Sequence, residues 1–303
     1  MKAIVLVVLA GFLSLFGGDL HLFSAPNADG KLTPTMIEKA FEANGFVIAA
    51  DSEMTGPFTK QFGGSDFAVF NLMTVIPKKE AASLVKTHPD GGIFVPMGVG
   101  IYQRKGESDL HVSVLTADAM QKIAGFKAPE FAVIEKKVFA TLKTVLPKTT
   151  KQTLSGTSLP AEEKLLTRFV KKTDITNWQS DKDDTEMMLE EGLKPAGFVL
   201  SNFTDYQFML TENGDESPFS FYDTYSICKL KVIYTVAKTR PEAAAFAPCT
   251  LMVYKKKDAG EIVMGFPGVY NWMSSARVED AEAKEVLKQA QKDFEGVLQS
   301  TVE

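Results

Sequence analysis

The sequence predicts an α+β protein in which two related domains follow an apolar N-terminal segment. Apolar residues alternate along short segments as in β-strands, and segments with helical spacing lie between them. In addition, a set of residues recurs at a constant spacing of 152 positions. The composition agrees with this class, because 45% hydrophobic and 23% charged residues are typical of a globular protein.

The first predicted helix covers residues 33–45, because Thr33-Pro34 supplies an N-cap and a first-turn proline and Gly45 ends the apolar periodicity. A strand follows at residues 46–50, and an aromatic and β-branched segment predicts a second strand at residues 67–75. Pro77 begins the next helix, which ends at His88 before a proline and two glycines.

The remaining elements of the first domain are two strands and a closing helix. Residues 93–103 form a long strand, and residues 110–115 alternate so that His111 and Ser113 share one face. Apolar positions at helical spacing predict the closing helix over residues 128–146. Strands paired with helices before and after them predict helices on one face of a mainly antiparallel sheet.

The spacing of 152 residues predicts an internal duplication. Gly45-Phe46-Val47 recurs as Gly197-Phe198-Val199, and further matches are Thr33/Thr185, Phe94/Phe246, Pro96/Pro248 and Tyr102/Tyr254. We therefore predict two homologous domains, at residues 20–147 and 173–303. Residues 148–172 are predicted to be a linker followed by a short amphipathic helix, because Leu165, Leu166 and Phe169 have helical spacing.

The N-terminal segment predicts export from the cytoplasm. Met1-Lys2 precedes an apolar run over residues 3–16, and small residues follow it. This run is shorter than the roughly 20 residues that span a bilayer. We predict a signal peptide over residues 1–18, with cleavage there or as late as residue 24, and hence a periplasmic protein. An uncleaved segment, anchoring the protein in the membrane, is the alternative.

Charge and composition exclude several classes of function. The formal net charge is −5, and no basic cluster is present, so nucleic-acid binding is not expected. Two cysteines and three histidines leave little material for a metal centre, and we predict no metal and no cofactor. The chain lacks HExxH, GxxxxGK[ST], GxSxG and CxxC motifs, and we predict no catalytic residue.

The pattern resembles the family named domain of unknown function 302, and the resemblance covers both predicted repeats and so nearly all of the chain after the predicted signal peptide. The resemblance is carried by Gly197-Phe198, by Tyr225-Ser226-Ile227-Cys228, by Pro241 and by Pro248-Cys249. It implies a fold similar to that of the TATA-box-binding protein, β-α-β(4)-α, with helices on one face of a curved sheet. The first repeat departs from the pattern, because Ile76 and Met97 occupy the two cysteine positions.

These observations predict an uncharacterised, exported, non-catalytic accessory protein that binds a small apolar ligand or a periplasmic protein. A scaffold formed by contact between the two halves is a further reading. Polar residues near a concave apolar wall can orient a ligand. We therefore predict a ligand site in each domain, formed by the residues Asn71, Tyr102, His111, Asp223 and Tyr254.

Cys228 and Cys249 support an alternative function. They lie at the end of one predicted strand and at the start of another. Three readings stay open: two small buried hydrophobic residues, a structural disulfide, or a thiol pair that acts in redox chemistry or binds a metal. A thiol-redox or metal-binding protein is therefore the alternative to a simple binding protein.

Overall fold

The computed structural model describes residues 18–146, 148–158, 164–212 and 214–302. The predicted signal segment lies outside the described residues except for Gly18. The fold is α+β, with two antiparallel sheets against which helices pack. Over the described residues, no helix has both the length and the apolar character needed to cross a bilayer.

The first half of the chain contains six strands, five α-helices and a 3-10 helix among its described residues. They are β1 (Leu20–Pro26), α1 (Pro34–Ala43), β2 (Phe46–Glu53), α2 (Thr55–Phe62), β3 (Phe67–Pro77), α3 (Lys78–Thr87), the 3-10 helix η1 (Pro89–Phe94), β4 (Met97–Arg104), β5 (Asp109–Leu115), α4 (Ala117–Ala124), α5 (Pro129–Val145) and β6 (Thr150–Leu154). The strands form a sheet in the order β2-β3-β4-β5-β1-β6.

The second half contains five strands, five α-helices and a 3-10 helix among its described residues. They are β7 (Leu166–Lys172), α6 (Gln179–Leu193), β8 (Val199–Asp205), α7 (Tyr206–Thr211), β9 (Phe219–Cys228), α8 (Leu230–Ala237), the 3-10 helix η2 (Pro241–Phe246), β10 (Cys249–Lys256), β11 (Glu261–Pro267), α9 (Tyr270–Ser275) and α10 (Ala281–Val302). The sheet order is β7-β11-β10-β9-β8.

Local sequence explains where several helices begin and end. The Thr33 hydroxyl accepts a hydrogen bond from the Met36 amide at 3.4 Å, and Pro34 occupies the first turn of α1. Gly63 and Gly125 follow α2 and α4 with φ of +80° and +77°. A helix that ends in this left-handed conformation favours glycine, which has no Cβ to clash.

The structure differs from the sequence prediction at residues 166–172, which form strand β7 and not an amphipathic helix. The spacing of Leu165, Leu166 and Phe169 fits the period of a helix, but the segment also fits the two-residue period of a strand. Thr167 and Phe169 face inward, and Arg168 and Val170 lie on the other side. Pairing with β11 along its whole length selects the strand. The predicted linker likewise contains strand β6, which pairs with β1.

Strand β1 was not predicted either, although it lies inside the first sheet, next to the edge strand β6. It pairs with β5 on one side and with β6 on the other. Leu20 and Ala25 are fully buried and Phe23 is nearly so. Helices α2 and α4 are also additional elements, and residues 89–94, whose end was predicted to begin a strand, form η1 instead.

The two halves pack together through their 3-10 helices. η2 lies on β4, where Gly98 and Gly100 have no side chain and allow Ala245 and Ala244 to approach the sheet closely. η1 in turn lies on β10 of the second sheet, where Thr250 and Met252 stand in place of the two glycines. As a result one core runs through both halves, and a smaller cluster lies between the second sheet and the helices α6 and α10.

Candidate functional site

Tyr102 and His111 lie on the face of the first sheet that contacts η2. They are partners in the pairing of β4 with β5, and their rings stack at 5.0 Å. His111 also joins a polar chain, because its Nδ1 lies 2.8 Å from the Ser24 hydroxyl and its Nε2 lies 2.9 Å from Glu107 Oε1. Burial raises the pKa of the Tyr102 hydroxyl, with Glu242 and Glu107 adding to the effect.

Tyr254 occupies the corresponding position on the second sheet, and its hydroxyl is used within the molecule. It donates a hydrogen bond to Asp90 Oδ1 of η1 at 2.9 Å, and its ring stacks on Tyr222 at 5.2 Å. Arg168 lies 3.8 Å from the same aspartate. The predicted concave site of the second domain is therefore covered by η1 of the first half.

Asn71 and Asp223 do not share a site with the two tyrosines. Register pairs Tyr102 with Phe70 and Tyr254 with Tyr222, so the next residue in each strand points to the opposite face. Asn71 donates to Asp51 Oδ1 at 2.9 Å on that face. None of the five predicted ligand residues lines the cavities described below.

Asp223 lies instead beside α6 in a buried charged cluster. The Lys182 ammonium is 2.6 Å from Glu186 and 3.2 Å from Asp223, and Tyr225 donates to Glu186 at 2.9 Å. Burial raises the pKa of Asp223 to about 6, against the opposing effect of Lys182, which is closer to Glu186. The cluster ties α6 to the second sheet.

The structure brings Cys228 and Cys249 together as free thiols at the edge of one cavity. Cys249 is paired with Ile227, the residue next to Cys228, in the register of β10 with β9. Burial raises the pKa of Cys228 to about 11 and that of Cys249 to about 12. Both thiols are therefore protonated at neutral pH, unlike the low-pKa cysteines of redox enzymes.

The cavity beside the thiols has a volume of about 40 Å³ and almost entirely apolar walls. It lies where β9, β10 and β11 meet α8, α9 and α10. Its lining residues are Phe198, Ile227, Cys228, Lys229, Val232, Ile233, Ala247, Cys249, Phe266, Val269, Trp272, Ala290 and Phe294. We call this space the thiol cavity.

Aromatic contacts fix the walls of the thiol cavity. Phe294 packs on Phe266 at 4.5 Å and on Phe198 at 5.3 Å, and Trp272 stacks on Phe246 at 5.9 Å. The Lys229 ammonium lies 4.9 Å from the centre of the Phe198 ring. An apolar site with few polar groups can hold a small apolar ligand.

Sequence reasoning identified the two cysteines but not the other walls of this cavity. Phe198 belongs to the Gly-Phe motif that carries the family resemblance, and this motif was the one sequence feature that could have indicated Phe198 as a wall of the cavity. Trp272 and Phe294 lie on helices far along the chain, so only the packing of α9 and α10 places them here. Over the described residues, no group of three or more His, Cys, Asp and Glu side chains could hold a metal ion.

Comparisons with known proteins support the family resemblance in the second half. The family described as "Domain of unknown function DUF302" matches residues 176–301, a range that includes every residue lining the thiol cavity. No protein with a curated description matches the chain.

Two solved structures show limited similarity. An uncharacterized conserved DUF302 protein from Bacillus stearothermophilus has 21% identity and a TM-score of 0.37, covering 46% of this chain and 98% of its own. An adenosylmethionine decarboxylase from Aquifex aeolicus has 10% identity and a TM-score of 0.22, covering 48% of this chain and 98% of its own.

Proposed function

We propose that the protein is an exported, periplasmic, non-catalytic binding protein and that its ligand site is the thiol cavity. The observation that carries this proposal is an apolar cavity, walled by aromatic rings and two protonated thiols, inside the segment that matches DUF302. Neutral thiols behave as small apolar groups, so they favour an apolar ligand. They are poor nucleophiles at neutral pH, which argues against catalysis.

The size of the cavity restricts the ligand. A volume of about 40 Å³ is little more than the share of one water molecule in the liquid, about 30 Å³. Without movement of its walls, the site therefore accepts a molecule of one to a few non-hydrogen atoms. In the first half, Ile76 and Met97 occupy the two cysteine positions and are themselves buried. The proposed binding activity is accordingly confined to the second half.

Xenon is a suitable probe, because it enters small apolar cavities. Crystals under xenon pressure should show an atom beside Cys228, Cys249 and Trp272. Ala290→Leu, which places a larger side chain in the cavity wall, should remove that atom. Val133→Leu, on the exposed side of α5, adds bulk elsewhere and should leave it in place. An empty cavity in the wild-type protein, or occupancy retained in Ala290→Leu, would contradict the proposal.

A thiophilic metal ion is the second candidate ligand, because both thiols line one cavity. Two thiolates suit a soft ion such as Cu(I). Uptake releases protons, so affinity should rise with pH, as expected for thiols with raised pKa values. Competition with a colorimetric Cu(I) chelator should give one ion per chain, lost in Cys228→Ala and in Cys249→Ala. Equal uptake by the double variant would exclude this candidate.

We also propose that residues 20–147 and 173–303 are duplicated domains of the TATA-box-binding-protein type. The bounds of η1, β4 and β5 recur in η2, β10 and β11 at a spacing of 152 residues, which supports this proposal. An experimental structure should superpose the two halves with Phe94 on Phe246. Different positions of these residues in their halves would contradict a duplication.

For export, we propose cleavage near residue 18 and not after residue 24. Leu20 and Phe23 are buried in β1, and their removal would take away the strand that joins β5 to β6 in the first sheet. N-terminal sequencing of protein from a periplasmic fraction should begin between residues 18 and 20. An intact Met1 in a soluble periplasmic fraction would contradict processing.

A further inference from the structure

A second cavity lies where the two halves meet, between β6, η2 and the end of α9. Its volume is about 230 Å³. It is lined by Gln152, Thr153, Leu154, Ser155, Arg240, Glu242, Ser275, Ala276 and Arg277. We call it the arginine cleft. Both halves of the chain are needed to form it.

The lining is polar and carries two guanidinium groups. Arg240 donates through Nε to the Arg277 carbonyl at 3.1 Å, and its Nη1 lies 3.3 Å from Glu242 Oε1. Arg277 Nη2 is 3.9 Å from Glu279, and both of those side chains are at least half exposed. Among the residues that line the cleft, two arginines face the single carboxylate of Glu242, and the carboxylate of Glu279 lies outside the lining.

Ser275 provides an independent indication of a ligand. Its side chain is fully buried and lines the cleft, and its hydroxyl has no hydrogen-bond partner among the described residues. A buried hydroxyl without a partner costs free energy. The hydroxyl has almost no accessible surface in this structure, so a ligand oxygen in the cleft would satisfy it once the Ser275 side chain turns toward the cleft.

The backbone conformation of Arg277 also supports a ligand site in the cleft. Its φ is +52°, a left-handed conformation that favours glycine, and the position 152 residues earlier is Gly125 with φ of +77°. An arginine here carries a conformational cost, and such costs are concentrated at functional sites. The cleft wall is also held in place, because the Thr157 amide donates to the Ser274 carbonyl at 2.9 Å.

We propose that the arginine cleft binds a small oxyanion-bearing molecule, a carboxylate or a phosphate, of about eight non-hydrogen atoms or fewer. The guanidinium groups of Arg240 and Arg277 bind the anionic oxygens, and Ser275 donates its hydroxyl to one of them. Arginine suits this task because its planar fork of donors matches carboxylate and phosphate geometry.

A groove lined by Lys78, Lys79, Lys86 and Lys137 is larger but does not fit an anion as well. Three of its lysines already face acids: Lys78 pairs with Glu212, Lys86 with Asp215 and Lys137 with Glu80. Both arginines of the cleft also face acids, so ion pairs alone do not separate the two sites. Over the described residues, no side chain that lines the lysine groove has a buried polar atom without a hydrogen-bond partner, whereas Ser275 in the cleft has one.

Calorimetric titration of the full chain with inorganic phosphate and with succinate, at low ionic strength, tests the proposal. At least one probe should bind with a stoichiometry of one, and the tighter probe identifies the class of anion. Raised salt should weaken binding, because it screens exposed charges. The absence of saturable binding of either probe up to about 10 mM would overturn the proposal.

Arg277→Gly separates a ligand contact from a structural role. Binding should fall about tenfold or more, because a charge-assisted contact is lost. The melting temperature should stay the same or rise, because glycine adopts φ of +52° without strain. Lys105→Ala removes one positive charge outside the cleft and should leave affinity unchanged. Wild-type affinity in Arg277→Gly would refute the proposal.

Discussion

The packing of the two halves can be tested at Gly98, where η2 lies directly on strand β4. A Cβ built on Gly98 would overlap the Ala245 carbonyl oxygen, and it would lie 3.1 Å from the Ala245 carbonyl carbon and 3.4 Å from the Ala247 oxygen. All three atoms belong to the backbone of η2 or its end. Gly98→Ala therefore requires the two halves to shift against each other.

The expected loss of stability follows from two opposing effects. Replacing glycine by alanine lowers the entropy of the unfolded chain and stabilises the fold by about 0.4–1 kcal/mol. Extra volume in a packed interface costs about 1–3 kcal/mol, and a rigid backbone neighbour places Gly98 at the upper end of that range. The net loss should be roughly 1–2 kcal/mol, which corresponds to a melting temperature about 2–3 °C lower for a chain of 303 residues.

Urea unfolding and calorimetry of purified variants measure this loss. Gly64→Ala is a matched control, because a Cβ on Gly64 meets no atom within 4 Å, and its stability should change by less than about 0.5 kcal/mol. Gly296→Ala, in the open middle of α10, should be more stable by about 0.5–1 kcal/mol. A Gly98→Ala variant as stable as wild type would refute the contact between η2 and β4.

Three further predictions follow from other buried groups. Burial raises the pKa of Asp223 from 3.8 to about 6, so the folded protein holds a proton on this carboxyl more tightly than the unfolded chain does. The stability that this proton contributes is complete below pH 3.8 and is lost as pH rises through 6. Relative to wild type, Asp223→Asn should therefore gain roughly 2 kcal/mol of unfolding free energy between pH 4 and pH 7; a difference independent of pH in urea titrations would contradict this. Cys228 and Cys249 should react with Ellman's reagent at pH 7 at least about 100-fold more slowly in the native protein than in guanidinium, because their pKa values are raised; equal rates would show that the thiols are exposed. Tyr254→Phe should lower the unfolding free energy by about 1.5–3 kcal/mol, because the hydrogen bond to Asp90 is lost; unchanged calorimetric stability would show that the hydroxyl does not hold η1.

Local patterns in the sequence determined much of the secondary structure. The cap at Thr33, the aromatic strand after residue 67 and the closing helix before residue 146 all depend on residues close together in the chain. Such signals reflect intrinsic preferences and periodicity. The α+β class follows from the same information. The resemblance to DUF302 also came from the sequence, where it extended over both halves, and the match at residues 176–301 supports it for the second half.

Other features depended on contacts between distant segments, which local patterns do not contain. The segment 166–172 satisfies a helical and a strand period equally well, and its partner β11, about 95 residues away, decides between them. β1 was missed for a related reason, because its apolar residues closely follow the apolar run at residues 3–16, and only pairing with β5 and β6 identifies them as a strand.

The candidate sites show the same division between sequence and tertiary structure. Sequence singled out Cys228, Cys249, Tyr102 and Tyr254, but it could not tell that η1 would cover Tyr254 or that the two thiols would share a cavity. A cavity, like the arginine cleft between β6, η2 and α9, is what remains when distant surfaces pack incompletely. The shape of a cavity is therefore decided by the tertiary structure, whereas the sequence determines which residue types line it.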